Sequence, residues 1–400
     1  MVRFLLQGVQ MRLYPNIKKS LLSLAVICVS STAMAGDVRL VMPPCLEKSL
    51  SMIKHDVLSS SANLLLVALD DKKLEQVAIQ AHITKCGGFM NVSDRMDAKN
   101  NSNAFLKKFT PVLLKDSPIK KRKITHESKV KDLLAKVEAK NIWHTLEGLT
   151  HFDDRYSRGD NGRKAALWIQ EQFTSMVSDA KRDDVKTYFV ETGGSYKQPS
   201  LVTVMGESLP GDAIVIGAHM DTLSYMKPGA DDDGSGSSSL METARVLLNS
   251  EKLNVPIYFI WYSAEEMGLV GSQRVVKHFV KEGIKVKSVL QFDMTGYRRN
   301  DSDKMWMIGD HINQPLSQFV DSLIHKYIGV DVGWSNCGYA CSDHASWTQA
   351  GYASAFPVES RFGEENPYIH TGNDTMAHVS LEHMSNFSKL GVAFVIEEAS

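Results

Sequence analysis

Short apolar runs rich in β-branched and aromatic residues recur along the chain after residue 130. They occupy positions 213–217, 257–262, 289–292, 305–308 and 353–358. Runs of this length and composition, bounded by turn-forming residues, are typical of buried β-strands. The pattern therefore predicts at least five strands in the last two thirds of the chain.

Stretches with helical spacing lie between these runs. In 239–250, Leu240, Ala244 and Leu247 fall on one face, a second helix begins near Gly271, and a third covers 381–398. Alternation of strands and helices predicts an α/β domain, with a central, mostly parallel mixed sheet flanked by helices on both faces. An earlier apolar run at 64–69 also has a helical pattern.

The N-terminus has the pattern of a secretory signal peptide. Lys18 and Lys19 precede an apolar run at 21–29, and a small-residue cleavage pattern ends at Ala35. A membrane anchor is the alternative, but the run is shorter than the ~20 residues that a spanning helix needs. We therefore expect residues 1–35 to be removed and the protein to be secreted or periplasmic.

The remaining chain divides into two predicted parts. Residues 36–125 contain no motif of chemical interest and are interpreted as a pro-segment or accessory domain, and 126–400 as the main α/β domain. Between 115 and 131 there are seven Lys or Arg against two Asp or Glu. Such a basic stretch can bind nucleic acid, but this one lacks aromatic residues, so an exposed linker open to proteolytic trimming is favoured.

Composition and charge exclude several classes of protein. The 400 residues are 43% hydrophobic and 23% charged, with 45 Lys+Arg against 46 Asp+Glu. This is ordinary globular composition, which excludes a disordered, collagen-like or multispan membrane chain, and the charge balance gives no reason to expect a nucleic-acid or membrane partner.

After the signal peptide four cysteines remain, for which three pairings are open. We expect the local disulfides Cys45–Cys86 and Cys337–Cys341.

Acidic and imidazole side chains follow the ends of consecutive predicted strands. His219 and Asp221 follow the run at 213–217, Glu265 and Glu266 follow 257–262, and Asp293 follows 289–292. The triplet 231–233 follows a Pro-Gly turn, and His370 and Asp374 lie in a late loop. Each alone is typical of an ordinary turn or surface group. Strand ends of an α/β sheet face one crevice, however, and so many carboxylates repel each other unless cations neutralise them. Imidazole and carboxylate ligands favour zinc, cobalt or manganese, and the number of ligands favours two ions.

These motifs resemble a known family. The blocks 217–222, 228–236, 264–269, 291–295, 337–347 and 369–371 are similar, in order and spacing, to the secreted bacterial leucyl aminopeptidases of peptidase family M28. The resemblance covers about residue 130 to the end and implies a zinc-exopeptidase-like fold with two Zn²⁺ ions. It implies that Asp232 bridges the ions, that His219 and Asp293 complete one site, and that Glu266 and His370 complete the other.

The resemblance also assigns catalytic roles. Glu265 would be the general base that takes a proton from zinc-activated water, so that hydroxide attacks the peptide carbonyl. Asp221 would orient the ring of His219, and Tyr339, held by the Cys337–Cys341 loop, would stabilise the oxyanion. A cis peptide is expected between Asp232 and Asp233. The expected substrates are peptides with a free N-terminus, cleaved by a monomer.

The specificity pocket is expected to be apolar. The resemblance implies that it is lined by Met294, Ile308, Val358, Phe362 and Ile369. Such a pocket favours Leu, Phe or Met at the substrate N-terminus. Glu364 or Glu365 at its mouth leaves a preference for Lys or Arg open.

Three other functions remain as alternatives. A non-catalytic binding module of the same fold would lack ligands or the base, and this chain has all of them. A glutaminyl-cyclase-like acyltransferase would use one zinc. A carboxypeptidase needs a basic carboxylate pocket, for which only Arg361 is a candidate.

Overall fold

The computed structural model describes residues 37–84, 86–95, 101–109 and 122–399. Its strands are β1 (Asp37–Met42), β2 (His55–Ser60), β3 (Leu65–Asp70), β4 (Met90–Asn91), β5 (Val185–Val190), β6 (Ser200–Met205), β7 (Ala213–His219), β8 (Ile257–Tyr262), β9 (Val286–Gln291), β10 (Met305–Ile308), β11 (Val332–Ser335), β12 (Ser354–Ala355) and β13 (Pro357–Val358). Its helices are α1 (Pro44–Ser49), α2 (Leu74–Thr84), α3 (Ser102–Phe109), α4 (Glu127–Leu134), α5 (Ala139–Thr150), α6 (Asp160–Asp179), α7 (Gly236–Leu248), α8 (Val270–Glu282), α9 (Gln314–Leu323), α10 (His344–Gln349) and α11 (Leu381–Glu398).

A six-stranded mixed sheet in the order β12-β9-β7-β8-β6-β5 is the centre of the catalytic region. β12, β9, β7 and β8 are mutually parallel, β6 pairs antiparallel with β8, and the edge strand β5 pairs antiparallel with β6. Side chains of β7 alternate between two cores: Ile214 and Ile216 pack with α7 and α11, and Val215 packs with α8 and α10. Helices therefore cover both faces, which explains why these strands are continuously apolar. The predicted fold class is confirmed.

Two of the predicted strands, 305–308 and 353–358, lie wholly or partly outside the central sheet. β10 pairs with β11 and β13 in a separate three-stranded sheet. The apolar run at 353–358 is interrupted at Phe356, so that β12 joins the central sheet and β13 joins the small one. This change of sheet places Ile308 and Val358 in one buried apolar cluster beside the strand ends.

The N-terminal residues form a sheet of their own, in the order β2-β3-β1-β4. The helical prediction for 64–69 is wrong, because this run is β3, paired on both sides. Val67 packs into one apolar cluster and Leu66 into another, so both faces of β3 are covered and the run shows no polar alternation. The described N-terminal residues belong to the same compact unit as the catalytic region. The division at 125 stays a prediction.

The predicted signal peptide and most of the basic linker lie outside the described residues. At the linker's described end, Arg122 pairs with Glu398 at 2.8 Å, and the backbone N–H of Thr125 donates to Glu397. Within the ranges described, no helix is both long and apolar enough to cross a membrane.

Of the two predicted disulfides, one is present. Cys337 and Cys341 are bonded, which confirms that pair. The predicted Cys45–Cys86 bond is wrong for this structure, where both are free thiols. The reason is the direction of the Cys45 thiol, which donates to the carbonyl oxygen of Cys86 at 3.2 Å.

Candidate active site

The parallel strands deliver their ligand candidates to one edge of the central sheet. His219 is the last residue of β7, the Glu265–Glu266 turn follows β8, and Asp293 follows β9. All four side chains reach this edge because parallel strands end on the same side. Asp232 lies in the loop that leads into α7.

Asp232 contacts both histidines, one with each carboxylate oxygen. Its Oδ1 lies 3.1 Å from Nε2 of His219, and its Oδ2 lies 2.9 Å from Nε2 of His370. A carboxylate between two imidazoles in this way has the arrangement of a bridging ligand between two cations.

Each histidine also has its own acidic neighbour. Nε2 of His219 lies 3.7 Å from Oδ1 of Asp293, and Nε2 of His370 lies 2.9 Å from Oε2 of Glu266. The structure thus brings together all five residues predicted as metal ligands. They divide into two groups about Asp232, which is the division that the family resemblance implies.

Asp233, which the sequence analysis does not assign as a ligand, also lies within ligand distance of His219 and Asp293. Its carboxylate is occupied by backbone N–H groups: Oδ1 accepts from Gly236 at 2.8 Å and from Met294 at 3.1 Å, and Oδ2 accepts from His219 at 3.1 Å. We interpret Asp233 as the anchor of the loop that carries Asp232. The expected cis peptide between Asp232 and Asp233 is confirmed.

Asp221 connects the two halves of the site. Its Oδ1 lies 3.5 Å from Nδ1 of His219 and accepts the backbone N–H of Glu265 at 3.0 Å. Its Oδ2 accepts the N–H of Glu266 at 3.3 Å. One buried carboxylate therefore contacts a histidine ring and fixes the Glu265–Glu266 turn, a link that the sequence spacing does not reveal.

Burial and mutual contact shift the protonation equilibria of the site. Burial acts to lower the pKa of His219, but the carboxylates around it, Asp293 first, raise it well above the ordinary value. The pKa of His370 is raised in the same way, mainly by Glu266. Burial raises the pKa of Glu265 and of Glu266. So many buried acids make an anionic centre that divalent cations would stabilise.

Arg155 is a positioning residue that the sequence analysis does not identify. It is fully buried, and its guanidinium donates to the carbonyl oxygens of Met220 and Gly229, both at 2.8 Å, and of Pro228. It thereby holds the loop between His219 and Asp232. A single arginine in a polar stretch carries no motif by which the sequence alone could have identified it.

Asp374 is a second residue whose role the sequence does not show. Its Oδ1 accepts the backbone N–H of Asp231 at 3.0 Å and its Oδ2 accepts that of Asp232 at 3.1 Å. Since His370 precedes it in the same loop, Asp374 fastens the His370 loop to the Asp232 loop. Burial raises its pKa to about 8.

A pocket of about 290 Å³ opens over these side chains. The five predicted specificity residues line it, namely Met294, Ile308, Val358, Phe362 and Ile369, as do Glu265, Tyr339 and Glu365. The ring of Tyr339 packs edge-on against Phe362, with centroids 6.0 Å apart. Apolar walls and a few polar groups at one end are typical of a small-ligand site.

Comparison with known proteins agrees with this geometry. Residues 201–395 match the model of peptidase family M28. Leucine aminopeptidase 1 of Fusarium vanettenii is 36% identical over 293 residues, which are 69% of this chain and 74% of that protein. The chain belongs to peptidase family M28. It is an aminopeptidase, a hydrolase of the metallo type.

Two solved structures from Legionella pneumophila are similar over nearly their whole length. LapA aminopeptidase is 44% identical, with a TM-score of 0.86, over 91% of this chain and 98% of that one. LapB is 37% identical, with a TM-score of 0.85, over 91% of this chain and 99% of LapB. Because residues 126–400 are only roughly two thirds of this chain, both matches must include most of 36–125 as well.

Proposed function

We propose that this protein is a secreted dizinc aminopeptidase that removes an apolar, Leu-like residue from the N-terminus of peptides. The observation that carries the proposal is the contact of Asp232 with His219 through one oxygen and with His370 through the other. The similarity to leucine aminopeptidase 1 supports the same reaction class and the same side-chain preference.

The donor atoms fit two zinc ions. Each group offers one imidazole nitrogen and carboxylate oxygens, including one oxygen of the shared Asp232, and nitrogen and oxygen donors suit zinc. His219 and Asp293 would hold one ion, and Glu266 and His370 the other. When bound, such ions lower the pKa of a coordinated water towards ~7 and polarise the scissile carbonyl.

Glu265 is placed to move the protons of the reaction. It lines the pocket, and its backbone N–H is fixed by Asp221 at 3.0 Å. Burial raises the pKa of its carboxyl, which favours the uptake of a proton from the attacking water and its release to the leaving amine. Tyr339 lines the same pocket and would donate a hydrogen bond to the developing oxyanion.

The apolar side chains that line the pocket favour an apolar first residue. Met294, Ile308 and Val358 are each at most 8% exposed and form one cluster with Ile312 and Phe356. Burying a Leu or Phe side chain against these apolar residues stabilises the complex by about 1.5–3 kcal/mol.

A preference for Lys or Arg is the second candidate, favoured by Glu365. This residue lines the pocket, and one of its oxygens accepts the N–H of Gly363 at 2.6 Å. Glu364 does not support it in the same way, since it lies near Arg299 and Arg361 at 3.7 Å and 4.0 Å.

The other functions have weaker support. A glutaminyl cyclase that uses one zinc would not need a carboxylate shared between two histidines, as Asp232 is here between His219 and His370. A carboxypeptidase would need a basic group in the pocket, and among the described residues no Arg or Lys lines it. Arg361 instead faces Glu364. Secretion rests on the N-terminal sequence pattern, and the monomeric state remains a proposal.

The test is a panel of Leu-, Phe-, Lys- and Arg-p-nitroanilides and an N-terminal Gln peptide, assayed with and without a chelator. We expect fastest release from Leu, loss of activity with the chelator and recovery with zinc. Glu265→Ala should retain zinc and lose roughly 10²–10⁴-fold in kcat, while Glu282→Ala, an exposed control on α8, should not change it. Native-rate hydrolysis by Glu265→Ala would refute the assignment of the base, and cyclisation of Gln without release of Leu would refute the reaction class.

A further inference from the structure

The N-terminal segment contributes part of the pocket over the metal-ligand candidates. Ala78, Ala81 and His82 lie on one face of α2, at helical spacing, and all three line the pocket together with Phe89. The ring of His82 packs against that of His370, with centroids 5.0 Å apart. A segment far away in sequence therefore lies directly beside the catalytic groups.

The same segment fastens the turn that carries Glu265 and Glu266. The backbone N–H of Asn91, in β4, donates to the carbonyl oxygen of Gly268 at 2.9 Å, and Gln273 donates to the carbonyl oxygen of Asn91 at 2.9 Å. A Cβ added at Gly268 would lie 2.6 Å from the Asn91 nitrogen. The approach is so close that only glycine fits there.

Tyr339 is also held by this segment. A Cβ added at Gly87 would lie 2.6 Å from its ring, and one added at Gly88 would lie 2.8 Å from it. The two glycines thus let the backbone lie flat against the aromatic ring. The group expected to stabilise the oxyanion is therefore positioned by the N-terminal segment as well as by the Cys337–Cys341 disulfide.

An apolar core joins the segment to the catalytic region. Phe89 and Val77 belong to the same buried cluster as Ala264 and Met267, which flank the Glu265–Glu266 turn. Removal of the segment would expose this cluster and one side of the pocket at once, which is unfavourable for a folded, active enzyme.

We propose that residues 78–84 and 86–91, here called the pocket wall, are a permanent part of the active site, and that Ala81 and Phe89 contact the bound peptide. The inference rests on the aminopeptidase function proposed above. It makes the N-terminal segment a determinant of substrate specificity in the active enzyme, and not a pro-segment whose removal activates it.

The first test adds bulk on the pocket face of α2. Ala81→Phe would place a ring in the pocket, and we expect kcat/KM for Leu-p-nitroanilide and for a Leu-initiated tripeptide to fall at least about tenfold, mainly through KM. Bound zinc should not change. Ile83→Phe is the matched control, since Ile83 is 66% exposed on the same helix. Should Ala81→Phe fail to fold, as judged by circular dichroism, Ala81→Leu serves instead.

The outcomes separate the inference from the proposed function. If the Ala81 variant matches Ile83→Phe in kinetics while the wild type releases Leu, the pocket wall does not contact substrate and the inference is wrong. If the wild type itself releases no N-terminal residue, the proposed function fails.

The second test cuts the linker with trypsin and asks whether the N-terminal fragment stays bound to the rest of the protein. Lys115, Lys120 and Lys121 provide trypsin sites in the linker. After limited digestion we expect the N-terminal fragment to co-elute with the rest in gel filtration, and Leu-p-nitroanilide activity to stay within about twofold. Dissociation of the fragment with a rise in activity would overturn the proposal.

Discussion

Replacement of Arg155 by Met tests how the ligand loops are held. The variant keeps an unbranched side chain but removes the donors to the carbonyl oxygens of Met220, Pro228 and Gly229. Hydrogen bonds to a charged group contribute about 1.5–3 kcal/mol each, and part of the loss is recovered by relaxation or entering water. We therefore expect the free energy of unfolding to fall by roughly 3–5 kcal/mol.

The effect should extend to metal binding, because the loop held by Arg155 connects His219 with Asp232. The assay is urea unfolding of the chelator-treated protein, combined with titration of zinc into the same samples. Arg163→Met is the control: Arg163 is exposed and its guanidinium makes one long contact, to Lys197 O at 3.5 Å, so its effect should stay within about 0.5 kcal/mol. A loss below 1 kcal/mol in Arg155→Met, with unchanged zinc affinity, would refute the reasoning.

Three further perturbations have defined outcomes. His370→Ala should lose metal by elemental analysis, whereas the exposed control His325→Ala should not; equal metal contents would refute the ligand assignment. Burial lowers the pKa of His383 to about 4, so the unfolded chain binds more protons below its ordinary pKa of 6.5 and stability falls with acidification. Between pH 7 and pH 5 the wild type should therefore lose about 2 kcal/mol more than His383→Phe in urea unfolding, and identical losses would contradict this. Cys337→Ser should free the Tyr339 loop and lower kcat while zinc stays bound. An unchanged kcat would show that the disulfide is not needed to position Tyr339.

The strands and helices of the catalytic region could be predicted well because the local sequence pattern of each agrees with the structure that it forms in the fold. β8 and α11 have the predicted bounds, since an apolar run of strand length and a long helical repeat each have one stable interpretation. His219, Glu266 and Asp293 could be found because they lie at or just after the ends of strands, whereas Asp232 and His370 lie in loops and were assigned through the family resemblance. Parallel strand ends meet at one edge, so position in sequence translates into position in space.

Other features depend on contacts that have no local pattern. The sequence of β3 resembles a helix because a strand covered on both faces shows no alternation of apolar and polar residues. The Cys45 thiol faces the backbone of Cys86, which sequence separation does not show. The contact of α2 with the pocket joins residues nearly 300 positions apart, such as His82 and His370. Tertiary packing alone determines it.

The central claim is that Asp232 holds two ions, one on each carboxylate oxygen. The most direct measurement is zinc-edge anomalous diffraction from crystals of the full-length enzyme grown with zinc, together with elemental analysis after dialysis. The account predicts two zinc ions per chain, one between Asp232, His219 and Asp293 and the other between Asp232, Glu266 and His370. A single ion, or ions bound away from Asp232, would contradict it.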